Sequence, residues 1–80
     1  MREITRDQVV EVVGSLDHWE VSHDAYRFRP KYSVSFQTLQ KISDLFGTER
    51  IDLEPGREGW RWSTLTYEDG SPGYIVVYRD

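Results

Sequence analysis

The chain has 80 residues and a formal net charge of −4, so it suffices for one small domain and has no general attraction to nucleic acid or anionic membranes. It has no Cys, which excludes a disulfide-stapled fold and favours a reducing, cytoplasmic location, and it has no apolar run of the about 18 residues that a membrane span needs. Three Trp, five Tyr and three Phe supply the large side chains from which a modest core can be built.

The first predicted element is a helix over residues 6–16 or so. Thr5 and Gln8 have the spacing of a capping box, in which the side chain of each residue accepts a hydrogen bond from the backbone N–H of the other. The apolar stripe of this helix would consist of Val9, Val13 and Leu16.

A hairpin is predicted next, over residues 17–30, with a two-residue turn at His23-Asp24. Apolar and polar residues alternate on both sides of this turn, which is the period of a strand. This register leaves one face wholly apolar and gives the other face a pair of opposite charges. The predicted pairs are Val21 with Tyr26, Trp19 with Phe28, and Glu20 with Arg27.

The clearest signal in the chain is a second helix, on which the other elements are expected to pack. Ser35 is placed to cap its N-terminus, and Gly47 is placed to end it in the left-handed conformation. Its apolar stripe consists of Phe36, Leu39, Ile42 and Phe46.

After this helix the period of the apolar residues changes to two, which predicts an antiparallel meander of three strands. If Tyr67 pairs with Tyr74, both faces of the last hairpin are substantially apolar. We expect the two helices to cover the side that carries Ile75 and Val77 and to leave some Tyr or Trp at the surface. The predicted strands are 50–54, 60–67 and 74–78.

Together these elements predict a single small α+β domain over residues 1–80. Two helices would pack on a mainly antiparallel sheet, in the order α-β-β-α-β-β-β. The expected core consists of Val9, Val13, Leu16, Trp19, Phe28, Phe36, Leu39, Ile42, Phe46, Ile51, Leu53, Ile75 and Val77.

The leading functional hypothesis is a non-enzymatic module that binds a protein partner through an aromatic and charged sheet face. Trp, Tyr and Arg are the residue types that anchor protein interfaces. Small accessory proteins, including phage inhibitors of host machinery, are comparable in size and charge only. A homodimer is an alternative to a different protein partner, and packing of the Trp60 and Trp62 side chains in the core is an alternative to their exposure. The candidate residues are Arg57, Trp60, Arg61, Trp62, Tyr67, Tyr74 and Tyr78.

The second functional hypothesis is a single-stranded nucleic-acid-binding domain that uses the basic and aromatic segment 26–32. Cationic side chains would meet phosphates, and rings would stack on bases. The strand period counts against this hypothesis, because it directs the rings and the charges of the strand to opposite sides. The candidate residues are Tyr26, Arg27, Arg29, Lys31 and Tyr32.

We expect no metal, no cofactor and no catalytic activity. His18 and His23 lie among acidic residues, but their spacing matches no standard zinc motif, and there is no Cys to complete a set of four ligands. The chain also has no nucleophile elbow, no Gly-rich phosphate loop and no HExxH sequence. The potential ligands are Asp17, His18, Glu20, His23 and Asp24, and we expect their side chains to be exposed to water.

Overall fold

The computed structural model of the chain describes residues 3–47, 50–54, 58–61 and 66–79. Two helices, α1 (Arg6–Val13) and α2 (Phe36–Phe46), pack on one face of an antiparallel sheet, so the predicted α+β fold class is confirmed. The strands are β1 (Leu16–Val21), β2 (Ala25–Pro30), β3 (Ile51–Glu54), β4 (Trp60–Arg61), β5 (Thr66–Tyr67) and β6 (Tyr74–Tyr78). Neither helix is long and apolar enough to cross a lipid bilayer.

Both helices begin where the sequence predicts. The Gln8 N–H donates to Thr5 Oγ1 at 3.3 Å, and Gln8 Oε1 accepts from the Thr5 N–H at 2.8 Å, which completes the capping box of α1. Ser35 Oγ accepts from the Thr38 N–H at 3.1 Å and caps α2. Gly47 ends α2 in the left-handed conformation, with φ of 70°.

The first helix is shorter than predicted. It was expected to extend to about Leu16, but α1 ends at Val13. Gly14 has a φ of 94°, which side-chain-bearing residues rarely adopt, and its N–H donates to the Val10 carbonyl at 2.8 Å. The chain leaves the helix at this glycine, and Leu16 becomes the buried first residue of β1 instead of part of a helical stripe.

The β1–β2 hairpin has the predicted register, with all three expected pairs present. Its turn at His23-Asp24 is closed by Ser22, whose N–H donates to the Ala25 carbonyl at 2.9 Å. Ser22 Oγ accepts from the Ala25 N–H at 3.2 Å and donates to Asp24 Oδ1 at 2.6 Å. These side-chain bonds account for a turn pair that is not among those preferred in two-residue hairpins.

The C-terminal strands do not form the predicted meander, because their order in the sheet differs from their order in the sequence. The four-stranded sheet has the order β1-β2-β6-β3, so β6 lies between the hairpin and β3. Ile75 is opposite both Phe28 and Leu53, and Tyr74 is opposite Glu54 instead of Tyr67. The predicted pairing of Tyr67 with Tyr74 is therefore wrong. A strand whose three middle residues are buried belongs at the centre of a sheet, where both of its edges are paired.

The predicted strand 60–67 is also not one strand. Its two ends, β4 and β5, run antiparallel to each other, with Trp60 opposite Tyr67 and Arg61 opposite Thr66. They form a separate two-stranded sheet. The predicted strand residues 62–65, including Trp62, lie outside the described residues.

The core lies between the two helices and one face of the four-stranded sheet, on the Ile75 and Val77 side as predicted. The ring centroid of Phe46 is 4.9 Å from that of Tyr26 and 6.3 Å from that of Phe28. Four of the expected core residues expose 1% or less of their surface, namely Val9, Phe28, Ile42 and Val77.

Phe36 was expected in the core but is 63% exposed. It is the first residue of α2, one turn before Leu39, whereas the helix contacts the sheet rings through Phe46 at its other end. The N-terminal end of α2 therefore extends beyond the part of the sheet that the helix covers. The remaining expected core residues are buried or pack against the buried cluster, and Leu45 packs there as well.

We predict that Ile42→Ala lowers the free energy of unfolding by about 2–5 kcal/mol, because it empties a fully buried position. The exposed residue of the same stripe provides the control, and Phe36→Ala should change the free energy of unfolding by less than about 0.5 kcal/mol. Urea unfolding followed by circular dichroism measures both values. Equal losses would contradict the placement of the helix.

Candidate functional site

The sheet face opposite the helices is lined by charged and aromatic side chains, arranged by strand. The edge strand β1 contributes an imidazole and an acid, β2 two guanidinium groups, β6 two phenol rings, and β3 two acids. Strand alternation turns these side chains away from the core. We call this surface the polar face, and it consists of His18, Glu20, Arg27, Arg29, Asp52, Glu54, Tyr74, Val76 and Tyr78.

Arg27 joins three strands of the polar face. Its Nε donates to Glu54 Oε2 at 2.9 Å, and its guanidinium carbon is 3.7 Å from the ring centroid of Tyr74. Burial by itself lowers the pKa of Arg27, but the hydrogen bond to Glu54 and the charge of that carboxylate outweigh it and raise the pKa. Val76 lies opposite Arg27 in the register and is only 4% exposed.

Tyr78 is held in a similar way at the other end of β6. Its hydroxyl donates to Asp52 Oδ2 at 3.3 Å, and the guanidinium carbon of Arg50 is 5.1 Å from its ring centroid. The negative charge of Asp52 raises the pKa of Tyr78. Both phenol rings of the polar face are thus positioned by charged neighbours.

Tyr74 also contacts the first two strands. The His18 ring meets it edge-on with the centroids 5.4 Å apart, and the guanidinium carbon of Arg29 is 6.0 Å from the Tyr74 centroid. The imidazole also approaches an acid, because Glu20 Oε2 is 3.5 Å from His18 Nε2. Tyr74 is therefore the ring around which the polar face is assembled.

The structure divides the predicted partner-binding residues between two places. Tyr74 and Tyr78 lie on the polar face, while Tyr67 is 6% exposed and packs edge-on against Trp60, with the centroids 5.2 Å apart. Arg61 is exposed and its Nη2 donates to Glu68 Oε1 at 3.4 Å. Arg57 and Trp62 lie outside the described residues.

Trp60 packs at the end of the four-stranded sheet, in a small apolar pocket that Pro30, Leu53 and Gly73 also line. A Cβ atom added to Gly73 would lie 2.5 Å from Cζ3 of the Trp60 ring. The indole therefore lies directly against the backbone at this glycine. Its position makes Trp60 a support for the strand ends and not part of the polar face.

The alternative nucleic-acid set is divided as well. Tyr26 is 6% exposed, points into the core and accepts a hydrogen bond from the Ile4 N–H at 3.2 Å. Arg27 and Arg29 are on the polar face, and Lys31 and the 65% exposed Tyr32 follow the strand. The structure thus brings two arginines of one predicted set together with two tyrosines of the other.

The acids of the polar face were missed as site residues. Asp52 and Glu54 alternate with the inward-facing Ile51 and Leu53, so the sequence pattern placed them outward. Their contacts depend on which strand lies beside β3, and the alternation of residues along a strand does not predict its neighbour. Glu20 was predicted as a charge partner of Arg27 and considered as a potential metal ligand, but Arg27 instead reaches Glu54.

Among the residues that the structure describes, no group of three His, Cys, Asp or Glu side chains could hold a metal ion. The expected lack of a metal, a cofactor and catalysis stays a prediction. No protein-family model, curated protein or solved structure matches this chain.

We predict that Gly73→Ala lowers the free energy of unfolding by about 1–3 kcal/mol, because the new methyl group overlaps the Trp60 ring. Trp60→Leu makes room for that methyl group, so the double variant should lose less than the sum of the two single losses. Urea unfolding of the four proteins measures the coupling. Additive losses would show that the ring and the glycine are not in contact.

We predict that Asp52→Asn lowers the pKa of Tyr78 toward the ordinary value for tyrosine, because the charge that raises it is removed. The pKa can be followed by the NMR signal of a ¹³C label at the Tyr78 ring carbon that bears the hydroxyl. The control is Glu20→Gln, on the far edge strand of the same face, which should leave this pKa unchanged. Equal shifts in both variants would contradict the local contact.

Proposed function

We propose that the protein is a non-enzymatic, cytoplasmic interaction module that binds a protein partner through the polar face. The observation that carries the proposal is the pair of half-buried rings, Tyr74 and Tyr78, each held next to a guanidinium group. Tyr and Arg are over-represented among the residues that dominate the energy of protein interfaces.

Pre-organisation of these side chains also supports the proposal. Arg27 is held by Glu54 and by the Tyr74 ring, and Tyr78 by Asp52. Side chains that are already ordered lose less conformational entropy when a partner binds. Small accessory and inhibitor proteins are comparable to this chain in size and charge.

The charges of the polar face favour a protein partner over a single-stranded nucleic acid. Glu20, Asp52 and Glu54 lie on the same face as the two arginines, and the charge of Arg27 is already paired with Glu54. A chain of phosphates would meet these carboxylates along with the cations. Tyr26 and Phe28, the two rings of the basic segment that lie within β2, are buried and offer no surface for base stacking.

We predict that a photo-cross-linking amino acid at Tyr78 captures a specific protein from a lysate of the source organism. Gln37 is an exposed residue of α2 on the opposite side of the molecule, and the same cross-linker there provides the matched control. Mass spectrometry identifies the captured protein, and circular dichroism verifies that both variants fold.

A product specific to position 78 would support the proposal, and a product of twice the mass of the chain would identify the partner as a second copy. Capture of the same proteins from both positions, or of none from position 78, would overturn it. Salt-sensitive retention of a short single-stranded oligonucleotide, lost in Arg27→Glu, would favour the nucleic-acid alternative instead.

A further inference from the structure

The strand β1 has an outer edge with which no described residue pairs. It lies at the end of the four-stranded sheet and is bonded to β2 on its other side. The peptide groups of successive residues in an antiparallel ladder point alternately to the two sides. The Ser22 N–H donates to the Ala25 carbonyl on the β2 side, so the peptide groups of Trp19 and Val21 point away from the sheet. These groups can pair with a further strand.

The side chains at this edge also have uncovered apolar surface. The half-buried Trp19 ring lies with its centroid 5.9 Å from the centroids of both Tyr26 and Phe28, and it is the outermost ring of this row. Val21 is on the same side of the strand and is 41% exposed. A strand added beside β1 would remove part of this apolar surface from water, which is favourable.

The charged side chains of β1 make the strand complementary to a second copy of itself. Two copies related by a two-fold axis run antiparallel, and the outward peptide groups of one must meet those of the other. In the register centred on Trp19, His18 of each copy lies opposite Glu20 of the other. The neighbouring register, centred on Glu20, would put two carboxylates directly opposite each other, which is destabilising. The charges therefore favour one register and oppose the next.

We propose that β1 pairs with β1 of a second copy of this chain, antiparallel and centred on Trp19. The two Trp19 rings would then be neighbours across the axis on the core side. His18 and Glu20 of different copies would form two contacts on the other side, at the closely spaced positions of the ladder. This inference goes beyond the proposed function, because the dimer joins two polar faces into one continuous surface.

The dimer is expected to be weak because the pairing is short. The register of β1 with β2 shifts between Leu16 and His18, so the regular part of β1 begins at His18 and ends with the strand at Val21. An interface of this length falls below the about 800 Å² per partner of a standard complex. We therefore expect association in the micromolar range or above.

The first test is sedimentation equilibrium of the whole chain at concentrations from about 10 µM to about 1 mM, the range in which small interfaces associate. The mass should rise from 9.5 kDa toward twice that value and then stay constant. A mass that remains at 9.5 kDa would overturn the proposal. A mass that continues to rise would also overturn it, because head-to-tail pairing of unlike edges does not close.

Charge variants test the register. His18→Glu places carboxylates opposite each other in both contacts and should weaken association about tenfold. Adding Glu20→Lys restores opposite charges across the axis and should recover most of that loss. Gln37→Glu makes the same change in net charge at an exposed position of α2 and should weaken association less than about twofold. An equal loss in Gln37→Glu, or no recovery in the double variant, would contradict the register.

A backbone variant tests the pairing itself. Val21→Pro removes an outward N–H without breaking a bond to β2, and its ring lies where the second strand would run, so association should weaken at least about tenfold. Val21→Thr keeps the N–H and should change association less than about threefold. Circular dichroism verifies that both variants fold. Unchanged association of a folded Val21→Pro variant would overturn the proposal.

The distance between two spin labels measures the register directly. The chain has no Cys, so His23→Cys provides a single labelling site in the exposed turn of the hairpin. In the proposed register the two labelled positions are about eight residues apart along the ladder, or about 27 Å by pulsed electron paramagnetic resonance. The register centred on Glu20 would give about 20 Å instead. A distance centred on the shorter value would overturn the proposed register.

Discussion

The fully buried ring of Phe28 is the contact on which both faces of the sheet depend. It lies opposite Trp19 in β1 and Ile75 in β6, and its ring is stacked against Phe46 of α2 with the planes 12° apart. Because side chains alternate along a strand, a core that holds Phe28 inward also directs its two neighbours, Arg27 and Arg29, outward. A slip of one residue would expose the ring and bury both charges.

The polar face follows from this constraint together with the central position of β6. Tyr74 lies between the arginines of β2 and the acids of β3, so Arg27 can reach across it to Glu54. The same contact orders the surface and shields Val76, which gives the sheet a second, smaller apolar layer.

Aromatic residues of similar type have different roles in this chain because of their backbone surroundings. Trp60 lies against Gly73, where the lack of a side chain leaves room for an indole ring, and Tyr67 is buried against it. Tyr74 and Tyr78 have charged neighbours and remain half-exposed. Their residue types made all four candidate interface residues. Whether a ring is buried or accessible depends on the segments that pack against it.

The sequence by itself determined the helix starts, the end of α2, the hairpin register and the inward side of each strand of the four-stranded sheet. These features depend on hydrogen bonds between residues a few positions apart and on alternation within one strand, so they can be read locally. It also named Tyr74, Tyr78, Arg27 and Arg29, but in two separate sets and without the acids. Only the tertiary structure decided that β6 lies between β2 and β3, which joins those sets into one face, and that Phe36 extends beyond the core. Strand order and coverage depend on which edges and surfaces distant segments leave available, and no local pattern records that.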